Sequence, residues 1–181
     1  VQLDDDVYPS DALLSAMAAA VASEAHTHGQ GFYGLYGPEQ RSCTAAGYGF
    51  AEGPGDGNYN IVLTSVAAMR LELAKRFAAA FYSSYAPLVN ATHGNGEDIC
   101  FADFVRRSGG QCVRVLANYT HMPDALGHSG GGVFSLKPEH MFVRKLECSC
   151  LAQQQELGMA LLDCVWDGFQ RATPNSSLSI F

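Results

Sequence analysis

Residues 59–87, YNIVLTSVAAMRLELAKRFAAAFYSSYAP, hold the pattern on which the fold turns. Tyr59 to Leu63 is a brief run rich in β-branched and aromatic side chains, which suits a strand. Thr64 or Ser65 then stands where a helix cap would, and Val66, Met69, Leu73, Phe77 and Phe81 recur at steps of three and four residues. Arg70, Glu72, Lys75 and Arg76 fall around the other side, so the expected element is a long amphipathic helix running up to Pro87 and lying at the centre of the domain.

Upstream, Pro9-Ser10-Asp11 offers Ser10 or Asp11 as a cap. Leu13, Leu14, Met17 and Val21 then share one stripe, and a helix is expected from Asp11 to about His26, stopped by Gly29 and Gly31. Phe32 to Asn58 is dense in glycine and aromatic residues and reads as short strands and turns. Downstream, Asp98 to Arg107 reads as a short helix ended by Gly109-Gly110. Cys112 to Ala117, Val133 to Leu136 and Met141 to Leu146 read as strands, and Ser149 to Gln170 as a last amphipathic helix with Leu157, Leu161, Leu162, Val165, Trp166 and Phe169. That order is neither a repeated βαβ pattern nor all-helical. The expected class is α+β: a small antiparallel sheet packed by two or three helices, disulfide-stabilised, in a single domain of residues 1–181 with tails at 1–9 and 172–181.

Charged residues make up only 16% of the 181, against about 25% in an ordinary soluble domain. Eleven basic against eighteen acidic residues give a net charge of -7, which argues against a nucleic-acid binder. The absence of an initiator methionine at Val1 reads as a processed product or an excised piece. The apolar stretch Ala16 to Ala22 is far too short to span a membrane, and Asp4-Asp5-Asp6 ahead of it has the wrong charge for a signal leader, so no transmembrane segment is expected in this chain.

Six cysteines, Cys43, Cys100, Cys112, Cys148, Cys150 and Cys164, suit an oxidising compartment and a set of disulfides. Six allow 15 connectivities; Cys100 with Cys112, and Cys164 with Cys148 or Cys150, are the local pairings. Three of the six asparagines, Asn90, Asn118 and Asn175, open N-glycosylation sequons, where chance would supply about 0.7. Glycans there would supply the hydration that surface charge usually supplies. Both features point to a secreted or cell-surface glycoprotein.

Three constellations could carry chemistry. His121, Asp124, His128 and Ser129 lie in an expected loop from Thr120 to Gly132, and a hydrolase could use the serine as nucleophile and a histidine as base. No G-x-S-x-G elbow surrounds Ser129. Tyr33, Tyr36 and Tyr48, with Phe32, Phe50 and Tyr59, could form an exposed aromatic binding face among the glycines. His26 and His28 could share a metal if the chain were extended there, although a fraying helix end explains them as well. No cofactor is expected. The leading expectation is a non-enzymatic domain for extracellular recognition, ligand sensing or assembly of an extracellular structure, with other extracellular proteins or glycans as partners. The alternatives are a secreted hydrolase at the His121 to Ser129 loop and a metal carrier at His26 and His28.

Overall fold

The computed structural model of the chain describes residues 1–3, 7–28, 33–38, 40–44, 47–50, 59–91, 96–116, 119–121, 145–146, 148–150, 163–165 and 167. In chain order the elements are β1 (Gln2–Leu3), β2 (Val7–Pro9), α1 (Asp11–His28), β3 (Gly34–Gly37), β4 (Gln40–Thr44), β5 (Gly47–Phe50), β6 (Tyr59–Val62) and β7 (Val66–Ala67). There follow α2 (Leu71–Ser84), α3 (Ala86–Ala91), α4 (Glu97–Arg107), β8 (Gln111–Arg114) and β9 (Tyr119–His121). Helix and strand are mixed, as the α+β expectation requires.

α1 begins where its cap sits: the Leu13 amide donates to Ser10 Oγ at 3.1 Å, a contact of the kind that contributes about 1 kcal/mol. Its stripe buries Leu13 and Met17 completely, against Tyr36, Val66 and Ala68.

The central helix starts later than its periodicity suggests. Val66 and Ala67 form β7, paired antiparallel with β1, and Ala68 exchanges two backbone hydrogen bonds with Tyr36, at 2.8 and 2.9 Å. A β-branched residue facing an open strand edge gains more from that ladder than from a first helical turn. The N-cap is therefore Arg70, in extended backbone with no side-chain cap, and not Thr64 or Ser65. From Leu71 on, the expected stripe holds: Leu73 is fully buried and Phe77 and Phe81 are half-buried. Pro87 does not stop helix formation but lies in the first turn of α3, where its missing N–H costs nothing.

α4 ends on a Schellman turn. Gly109 takes φ 78°, its amide donates to the Arg106 carbonyl, and the Gly110 amide donates to the Val105 carbonyl. A Cβ on Gly110 would overlap the Tyr33 carbonyl oxygen, so only glycine lets the chain turn this closely under Tyr33 and enter β8.

The sheets are mixed rather than purely antiparallel. β4 lies between β5 and β6, antiparallel to both, and β2 pairs antiparallel with β9, but β3 pairs parallel with β8, Leu35 opposite Cys112 and Tyr36 opposite Val113. The chain between β3 and β8 includes three helices, the kind of long crossover that parallel strands need. All four residues of β3 are buried, as expected of a strand covered on both faces. Leu35, Val62, Ala67, Leu73, Phe101 and Val105 close the core around it.

Lys145 and Leu146 are helical, which corrects the strand expected to end there; Leu146 packs against the cluster of Tyr85, Leu88, Ile99 and Cys148, so burial is satisfied without strand pairing. The strand expected at Val133 to Leu136 lies outside the described residues. Those of the final expected helix that are described, 149–150, 163–165 and 167, are helical.

Candidate functional site

Among the described residues three carboxylates are buried, Glu24, Asp98 and Asp103, and Glu24 and Asp103 are met by arginine. Glu24, only 1% exposed, continues the apolar stripe of α1 seven residues beyond Met17. Its Oε1 accepts the Gly34 amide at the start of β3, and its Oε2 lies 3.0 Å from Arg70 Nε at the start of α2. Oε2 receives no hydrogen bond of good geometry, so the Arg70 contact is an ion pair set off the N–H axis. One carboxylate thus ties helix, strand and helix start together. Burial raises the Tyr36 hydroxyl above its ordinary range, and the Glu24 charge adds to that while Arg70 offsets part of it.

Asp103, fully buried on α4, is the second anchor. Tyr85 donates its hydroxyl to Oδ2 at 2.9 Å; Arg106 reaches Oδ1 at 3.2 Å and Arg107 Nε reaches Oδ2 at 2.8 Å. Both arginines come from the same helix, three and four residues on, where side chains share a face. Their outer parts stay in solvent, with the Arg106 side chain 31% and the Arg107 side chain 47% exposed. Arg76 approaches the same end of α4 from α2. Its guanidinium lies 4.9 Å from the centre of the Tyr33 ring and 5.9 Å from that of Phe104, and donates to Ser108 Oγ at 3.3 Å. Phe104 and Ser108, at i and i+4 of α4, form with Tyr33 the patch that Arg76 covers, and Arg107 stands three residues on from Phe104. What the patch can do chemically is hold an anion: guanidinium forks pair with planar or tetrahedral oxyanions through two N–H donors.

The sequence contained signals for both anchors. Glu24 sits on the helix stripe where an apolar residue belongs, and Asp103 is followed at three and four residues by arginines.

The residues expected to carry chemistry are placed differently. Tyr36 is 4% exposed and packs with Leu13 and Met17, so it belongs to the core and not to a binding face. Tyr33 is half-buried beneath Arg76, and Tyr48 lies in β5 with its side chain outside the described residues. His121 is not in a loop but ends β9, opposite Val7, because Tyr119 and Thr120 continue the pairing with β2. Asp124, His128 and Ser129 lie outside the described residues. His26 and His28 fall within α1, and a helix does not bring residues two apart onto one face. Among the described residues no group of three or more His, Cys, Asp or Glu could hold a metal ion.

Cys150 and Cys164 form a disulfide, one of the two expected alternatives, and Cys148 is disulfide-bonded as well. The side chain of Cys43 lies outside the described residues. Cys100 and Cys112 are not disulfide-bonded to each other, contrary to their expected pairing. Cys100 is buried with Tyr85 and Ile99, while the Cys112 sulfur is hydrogen-bonded by the Val62 backbone across from β6. Cys112 as a residue keeps some exposure, but its thiol is desolvated, and that burial pushes it up to about 12.

Burial likewise raises the Tyr85 hydroxyl, helped by the Asp103 charge and hydrogen bond. In the unfolded chain both groups ionise at their ordinary values, so between pH 9 and 12 the unfolded state binds fewer protons than the native one. Stability should therefore fall as pH rises through this window, and urea midpoints measured from pH 8 to 11 should decline steadily. A Cys112→Ala, Tyr85→Phe double variant should show a shallower decline; an equal slope would refute the assignment.

No family model matches this chain, and neither a curated protein nor a solved structure matches it.

Proposed function

We propose that this chain is a secreted or cell-surface glycoprotein domain that works in extracellular recognition or assembly, binding other extracellular proteins or glycans. The observation that carries the proposal is the disulfide between Cys150 and Cys164, because disulfides persist in oxidising compartments. Asn90 adds support: it opens a sequon and is exposed on α3, where a glycan has room. No helix among the described residues is long and apolar enough to cross a membrane. Asn118 and Asn175 lie outside the described residues.

Protein isolated from the cells that make it should run faster on a gel after endoglycosidase treatment, and Asn90→Gln should remove one step of that shift. Non-reducing peptide mapping should recover Cys150 linked to Cys164. Unchanged mobility, together with all six cysteines alkylated in the absence of reductant, would sink the extracellular assignment. Labelling of Ser129 by a serine-reactive probe would replace recognition with hydrolysis.

A further inference from the structure

We draw no further inference here: the strongest candidate, the exposed stripe of α2 that Leu71, Ala78 and Tyr82 form at helical spacing, carries nothing because nothing in the structure shows what covers it.

Discussion

Asp103→Ala is expected to destabilise the fold by about 3 kcal/mol, at the lower end of the range for breaking a buried ion pair. The carboxylate is fully buried and accepts from Tyr85, Arg106 and Arg107 together. Its removal leaves the Tyr85 hydroxyl, in a residue only 5% exposed, without its acceptor, and an unsatisfied buried donor costs about 1–3 kcal/mol. The arginines contribute less, because their part-exposed heads can turn to water. Tyr85→Phe should cost about 1 kcal/mol, since Asp103 Oδ2 keeps Arg107 and the ring remains. Urea unfolding of the two single variants and the double variant closes the cycle. A coupling energy near zero would show that the hydroxyl and the carboxylate do not act together.

Phe77→Ala should cost about 3 kcal/mol, because Phe77 joins α2 to α4. Its ring stacks on Phe101 at 4.3 Å between centroids and meets Phe104 at 5.4 Å, and Phe81 and Tyr85 both at 5.7 Å. Truncating a buried phenylalanine costs about 3–5 kcal/mol, and Phe77 belongs at the low end because it is half-buried. Aromatic pairing beyond area burial adds about 0.5–1.5 kcal/mol per pair, so Phe77→Leu should still lose about 1 kcal/mol. For a chain of this length the alanine variant should melt roughly 6–12 °C lower by calorimetry. A fall of less than 3 °C would mean that α2 is held to α4 by other contacts.

The candidate site was less legible than the fold. Tyr33 was singled out for its setting among glycines, and it does lie against Arg76, but as a shelf beneath it rather than as an exposed ring. The periodicity places Arg76 on the outer side of α2 and makes Arg107 the end of a short helix, and nothing within either helix says that Arg76 approaches the end of α4. Flanking glycines suggest open backbone around Tyr36, but in β3 the missing side chain of Gly34 makes room for the Tyr36 ring itself, which is buried.

The amino-acid sequence by itself determined the bodies of α1, α2 and α4, the Ser10 cap and the glycine turn after Arg107. Each depends on interactions between residues within about five positions of one another, and periodicity and capping report such interactions directly. Tertiary structure alone decided that Val66 and Ala67 join a strand ladder rather than a helix, that β3 runs parallel to β8, and that Cys150 takes Cys164 while Cys100 and Cys112 do not pair with each other. It also decided that Glu24 and Asp103 are buried. A ladder partner or a counterion supplied from across the fold changes the free energy of a local choice by as much as the local preference itself, and only chain closure in three dimensions sets which partner arrives.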